Sequence, residues 1–172
     1  MVKAIVVDLD GVLFDVSERI RRCLEEVGVD DLSKADSKQR RRFWNLFLSS
    51  KYMYLDRPNL DVVAHVKLMK RSGYRIIIVT GRVEETQKYA TLNQLRRYEI
   101  PVDEIYFRKK GDYRKDYELK LEVIRHLLDV GYEIEEVWDD SERVIEALKN
   151  ILPNTKLVLY RNPIAEYRVR GR

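Results

Sequence analysis

Apolar and polar positions along this chain follow two periods in turn. Near the N-terminus Ile5, Val6 and Val7 form a continuous β-branched run, which predicts a strand buried on both faces. Ser17 to Val27 then carries apolar residues at Ile20, Leu24 and Val27, the spacing of an amphipathic helix that stops near Gly28. A second helical pattern runs from about Ser37 to Lys51, with Phe43, Trp44, Leu46, Phe47 and Leu48 in a broad apolar stripe. From Pro58 onward the two periods alternate. Helices are predicted over Leu60 to Ser72, Glu84 to Tyr98, Asp116 to Val130 and Glu142 to Ile151. Strands are predicted over Tyr74 to Thr80, in EIYF within Ile100 to Arg108, in EEVWDD, and over Lys156 to Tyr160.

This alternation predicts an α/β fold, a five-stranded parallel Rossmann-like sheet with helices on both faces. A direct strand-helix-strand unit needs only about thirty residues. The helices between Asp15 and Asp56 therefore read as a small helical cap, residues 15–57, inserted after the first strand of a single domain spanning residues 1–172.

Composition narrows the class. At 172 residues, 45% of them apolar and 36% charged, the chain has the length and balance of a soluble domain able to bury a real core. No apolar run approaches a membrane span and no signal-peptide pattern precedes the first strand, so a cytoplasmic location is expected. Asn and Gln are few beside Lys, Arg, Glu and Tyr, a bias expected of proteins from hot environments. The lone cysteine, Cys23, has no metal-ligand neighbours and reads as a packed thiol, and His65 and His126 read as ordinary helix residues. The net charge of +4 is modest, but basic residues gather in Lys34 to Trp44, in Arg108 to Lys115 and in the tail from Tyr160 to Arg172, which suits a polyanionic partner. A run such as Arg40, Arg41, Arg42 is more often a solvated face, and an aromatic stripe more often packing.

Polar residues collect where strands are predicted to end. Asp8 and Asp10 follow the first strand, with Gly11 permitting a turn, and alternation along the strand would send both carboxylates to one side. Paired acids beside buried apolar residues are costly unless a cation or a hydrogen-bond network compensates them, although Asp-Gly is also a common turn signal. Thr80, Gly81 and Arg82 end another strand, where a hydroxyl and free backbone amides suit a phosphate, or where Thr80 caps a helix. Asp139 and Asp140 end a third, with Asp140 or Ser141 free to cap the next helix. A second acidic pair at the edge shared with Asp8 and Asp10 points to an oxygen-ligand site for Mg²⁺. Asp116 and Lys120 lie four apart on one predicted helical face, in the favourable order for an ion pair, so the acid is expected to hold the lysine.

The four segments DLDGV (Asp8 to Val12), VTGR (Val79 to Arg82), the helical Lys120 and WDDS (Trp138 to Ser141) resemble, in that order, the haloacid dehalogenase superfamily of phosphotransferases. GDYRKDYELK (Gly111 to Lys120) is similar to a stretch of the 3′-phosphatase domain of polynucleotide kinase/phosphatases, which often places Arg directly after its final acidic pair. Here Ser141 takes that position and Arg143 lies two residues on. No GxxxxGK[ST] loop occurs, so no kinase half is expected. The resemblance implies a fold of the haloacid dehalogenase type and a Mg²⁺-dependent phosphomonoesterase acting on a DNA or RNA 3′ end, as in nucleic-acid repair. It implies Asp8 as nucleophile, Asp10 as acid and base, and Asp8, Asp10 and Asp139 or Asp140 as metal ligands. Thr80, Gly81 and Lys120 would hold phosphate oxygens, with Asp116 positioning Lys120 and Arg82 reaching substrate phosphate. The alternatives are a small-molecule phosphatase such as a nucleotidase, and an inactive nucleic-acid-binding module, against which the two acids at one strand end argue.

Overall fold

The β-branched N-terminal run forms the centre of the molecule. In the computed structural model, which describes residues 1–161, β1 (Val2–Val7) lies between β4 (Arg75–Val83) and β6 (Tyr132–Asp139), parallel to both. Outside these lie β5 (Glu104–Arg108) and β7 (Lys156–Leu159), giving a five-stranded parallel sheet in the order β5-β4-β1-β6-β7. Alternation along the strands sorts the core into two layers. Ile5, Val7, Ile76 and Ile78 face one side, and Ala4, Val6, Ile77 and Val79 face the other. All eight are buried, and each branched side chain withdrawn from water contributes about 1.5–3 kcal/mol.

The first layer is covered by α1 (Ser17–Val27), α2 (Ser37–Phe47), α3 (Leu60–Arg71) and, through Leu95, α4 (Glu84–Arg97). The second is covered by α5 (Asp116–Asp129) and α6 (Glu142–Leu148). Every predicted helix and strand is present, with ends that move by a few residues. The second helix stops at Phe47 rather than Lys51, and a short 3₁₀ turn, Met53–Leu55, follows it. The expected tail beyond Arg161 lies outside the described residues.

The sequence pattern gave no sign of one feature. Phe14–Asp15 (β2) pairs antiparallel with Arg57–Pro58 (β3), so the chain leaves the sheet and returns to it through a two-stranded ribbon. The aromatic stripe of α2 packs inward. Phe43 and Phe47 are buried and stack at 5.8 Å, with Trp44 edge-on to both, in the same cluster as Ile5 and Val7. Cys23 is buried in that cluster, and burial pushes its thiol up to about 11.

The chain enters β5 through Asp103, which accepts from the Ile76 amide (2.8 Å), Lys70 (2.6 Å) and Arg75 (3.0 Å). Partial burial opposes its charge, but these three donors outweigh it and hold the carboxyl below its usual range. A depressed folded value stabilises the fold above the unfolded value and ceases to do so as pH falls through the folded one. Asp103→Ala should therefore cost about 1–3 kcal/mol at pH 7 and lose less further stability between pH 7 and pH 3 than the parent, measured by urea denaturation. An equal loss in both proteins would show that Asp103 contributes nothing to acid sensitivity.

Candidate active site

The sheet order reverses at β1, since the chain runs from β1 outward through β4 and β5 and then returns to the other side through β6 and β7. The crevice beyond the carboxyl ends of the strands at such a reversal is where open α/β sheets bind ligands. Asp8 follows β1, Thr80 and Gly81 lie in the second half of β4, Asp139 ends β6, and Asp140 follows it. Backbone pairing fixes this edge, with the Asp8 amide donating to Trp138 (3.0 Å) and the Tyr160 amide to Asp139 (2.9 Å).

Lys120, on the buried face of α5, reaches the crevice from behind the sheet. Its ammonium donates to Asp8 Oδ2 at 2.8 Å and to Asp139 Oδ2 at 2.6 Å, all three groups being buried. Asp8 Oδ1 accepts from the Leu9 amide and Asp139 Oδ1 from the Ser141 amide. Asp140 approaches from the far side, so close to Gly11 that a Cβ there would lie 2.1 Å from Asp140 Oδ2. Gly11 also has φ +80°, so it is required twice over, for conformation and for space.

Carboxylate oxygens of Asp8, Asp139 and Asp140 come within 4.8 Å of one another. Three carboxylates face one ammonium, and the excess of negative charge shows in their proton affinities. Burial, together with Asp139 and Asp140, pushes Asp8 well above the usual carboxylate range against the pull of Lys120. Burial and the neighbouring Asp139 push Asp140 up to about 7. Burial disfavours the Lys120 ammonium, but Asp139 and Asp8 overcome it and raise its affinity well above normal. An all-oxygen donor set with surplus negative charge fits a hard divalent cation.

Asp10 is held elsewhere. Because β1 ends at Val7, Asp8 and Asp10 lie in a turn closed by Gly11 N to Phe14 O and Phe14 N to Leu9 O, and strand alternation does not apply to them. The Asp10 carboxylate accepts from Arg19 (2.6 Å) and from Arg82 Nε and Nη2 (2.9 and 2.7 Å). Burial resists its charge, yet the two guanidinium groups hold its carboxyl at about 2.

Arg82 differs from expectation. Its side chain is buried, and besides Asp10 it donates to Thr91 (2.9 Å), Gln94 (2.7 Å) and Asp56 (3.2 Å), so its donors are committed within the protein rather than offered to a substrate phosphate. Asp116 also differs. It accepts from Arg108 (2.6 Å), and Lys120 turns inward to Asp8 and Asp139, so the expected pair along the helix does not form. Asp116 instead abuts β4, where a Cβ on Gly81 would lie 2.8 Å from Asp116 Oδ1. Thr80 is inside β4 and accepts from the Arg82 amide, while α4 starts at Glu84, so Thr80 does not cap that helix. Ser141 caps α6 through Val144 N.

Two buried residues of the site, Arg19 and Asp56, escaped the sequence reading, and Arg108, counted there among the basic residues that suit a polyanionic partner, is buried and engaged within the protein. Arg19 of α1 is fully buried between Asp10 and Asp56, with its Nε 3.0 Å from Asp56 Oδ1 but off the hydrogen-bond direction. It shares the buried face of α1 with Ile20 and Cys23, and an arginine on that apolar face was the available signal. Asp56 offered none, standing in a loop before Pro58. Arg108 holds the following loop by donating to the Asp112 and Arg114 carbonyls and to Asp116. Removing one partner from a buried ion network leaves the others uncompensated and costs about 3–5 kcal/mol. Asp56→Ala should lower stability by that amount in chemical denaturation, because Arg19 and Arg82 lose a counter-charge. A loss below 1 kcal/mol would mean that Asp10 alone balances both.

Comparison with known proteins bears on this arrangement. Residues 35–155 match the family model described as the polynucleotide kinase PNKP phosphatase domain. Among solved structures, a chain of the Pnkp1/Rnl/Hen1 RNA repair complex superposes with a TM-score of 0.68 at 23% identity, over 97% of this chain and 44% of that one. The present chain thus spans less than half the length of that relative. A haloacid dehalogenase-like hydrolase from Streptococcus pneumoniae gives 0.63 at 15% identity, covering 87% of this chain and 80% of that one. A predicted phosphatase from Clostridium acetobutylicum gives 0.61 at 18% identity, covering 91% and 83%. No curated protein matches the chain in sequence. The structural likenesses show the fold, and the family match, which spans well over half of the sequence, shows that the chain belongs to the polynucleotide kinase PNKP phosphatase domain family, a phosphatase of the haloacid dehalogenase type.

Proposed function

We propose that this phosphatase hydrolyses phosphomonoesters at nucleic-acid 3′ ends through an aspartyl-phosphate on Asp8. The observation that carries the reading is the cluster of buried Asp8, Asp139 and Lys120 with the half-buried Asp140 at the sheet reversal, which has no structural necessity as a group. The polynucleotide substrate is supported by the family match and by the exposed Arg40, Arg41 and Arg42 of α2.

Asp8 attacks phosphorus in line, its carboxylate oxygen forming the new P–O bond as the ester oxygen leaves. Thr80, the Gly81 amide and Lys120 hold non-bridging oxygens, and Lys120 also orients Asp8 through the 2.8 Å bond. Asp116 acts through Arg108 and its seat against Gly81, shaping that cradle rather than aiming Lys120. Asp10 takes a proton from the water that hydrolyses the acyl phosphate, a task suited to the ionised state that Arg19 and Arg82 impose. In the first half of the cycle it gives a proton to the leaving oxygen, which requires the incoming phosphate dianion to raise its proton affinity. Arg82 and Arg19 position Asp10. Asp8, the Asp10 carbonyl and Asp139 or Asp140 would hold Mg²⁺, which would neutralise the repulsion between carboxylate and phosphate. Residues 15–57 serve as the cap, contributing Arg19 and Asp56 to the site from outside the sheet.

Asp8→Asn should abolish phosphate release while leaving the fold intact by circular dichroism. Lys120→Ala should lower turnover on the order of 10²–10³-fold, and excess chelator should stop the parent enzyme. Wild-type rates in Asp8→Asn would remove the covalent route. For the substrate, the parent should prefer 3′-phosphorylated oligonucleotides to mononucleotides and sugar phosphates. Charge reversal of Arg40 to Arg42 should raise the KM for the oligonucleotide and flatten its salt dependence, since fewer counterions are released, while p-nitrophenyl phosphate responds little. Equal responses from both substrates would favour a small-molecule phosphatase.

A further inference from the structure

The aromatic residues next to the basic run of α2, Phe43 and Trp44, are engaged in the core, Phe43 fully and Trp44 half-buried against it. A different aromatic is free. Tyr113 is 89% exposed, and single exposed apolar residues are ordinary, so its setting has to distinguish it. The loop that carries it, between β5 and α5, is pinned throughout. Arg108, buried beneath, donates to the carbonyls on either side of Tyr113, those of Asp112 (2.8 Å) and Arg114 (2.7 Å). The Asp112 amide donates to Lys109 O, the Arg114 guanidinium binds the Asp112 carboxylate and Glu122, and the Lys110 amide donates to Glu85 (2.8 Å). A buried arginine clasping both neighbours of one residue fixes that residue's backbone, yet the ring it presents is exposed to water, as are Lys110 and Lys115 in the same loop.

The loop also borders the site. A cavity of about 300 Å³ is lined by Thr80, Gly81 and Lys120 together with Lys109, Asp112 and Arg114. Tyr113 stands three residues before Asp116, which abuts Gly81, so its Cα is within about 11 Å of the Asp116 Cα by chain length alone. An exposed ring on a pinned backbone, with lysines close to it in the chain and the phosphate cradle nearby, has the composition of a stacking platform for single-stranded nucleic acid.

Resting on the polynucleotide reading, we propose that Tyr113 stacks a nucleobase within the last few nucleotides of the 3′ end. The contact is independent of base identity, because every base presents a flat face, and the flanking lysines meet the adjoining phosphates. Preorganisation of the loop by Arg108 means that the backbone carrying the ring loses little freedom when a base lands on it.

The test compares Tyr113→Ala, Tyr113→Phe and, as a control, Tyr54→Ala, which removes an exposed tyrosine from outside this loop. Stacking is worth about 1–3 kcal/mol per base, or roughly five-fold and upward in affinity. Tyr113→Ala should raise the KM for a single-stranded 3′-phosphorylated oligonucleotide about five-fold or more with kcat little changed, and leave p-nitrophenyl phosphate unaffected. Tyr113→Phe and Tyr54→Ala should match the parent. Placing an abasic residue at each of the last three positions in turn should abolish the Tyr113→Ala effect at one of them. If the parent prefers oligonucleotides and Tyr113→Ala keeps the parental KM, or loses p-nitrophenyl phosphate activity equally, the platform is wrong and the proposed function stands. If the parent shows no preference for oligonucleotides, both fall together.

Discussion

The Lys120 ammonium sits almost wholly buried, between two carboxylates that are themselves buried. Removing such charges from water costs several kcal/mol per ion before pairing returns any of it. The sheet meets that cost by converging two strand ends and one helix face on a single point. β1 supplies Asp8, β6 supplies Asp139, and α5 presents Lys120 from the opposite layer. The apolar layers around them are the complement of this arrangement. Ile77, Val79 and Ile124 exclude the solvent that would otherwise weaken each pair.

A second charged centre lies on the other side of the same turn. Arg19 and Arg82 carry two positive charges, and Asp10 and Asp56 two negative ones. The two centres pull their acids in opposite directions, Asp8 well above the usual range and Asp10 down to about 2. Two carboxylates separated by one residue therefore have separate electrostatic surroundings.

Much of this was legible in the sequence because it is local or periodic. The β-branched runs at Ile5 to Val7 and Ile76 to Ile78 marked the central strands, and their polar ends marked the edge where Asp8, Thr80 and Asp139 meet. The partnerships were not legible, since they are decided by tertiary packing. Asp116 and Lys120 are spaced for a helical pair worth a few tenths of a kcal/mol, and burial next to Asp8 and Asp139 overrides so small a preference. Arg82 directly follows Gly81, where the family resemblance implied a group turned outward to phosphate, but Asp10, Asp56 and the α4 residues Thr91 and Gln94 converge on it from three separate segments. Nothing in the local spacing of Asp56 announces that it completes a buried network with residues 37 and 26 positions away.

The β2–β3 ribbon has a bearing on how this molecule can change. Phe14–Asp15 and Arg57–Pro58 lie side by side, so the chain between them leaves and re-enters the sheet at one place, and its length is geometrically free. Topology alone would make that segment interchangeable. Yet Arg19 and Asp56 belong to it and reach back to the Asp10 turn, which couples the segment to the charge balance of the site. A transplanted segment that covered the sheet as α1 and α2 do but lacked this arginine and aspartate would leave Asp10 facing Arg82 alone, with a different proton affinity. Exchange of the loop is thus exchange of the acid's tuning.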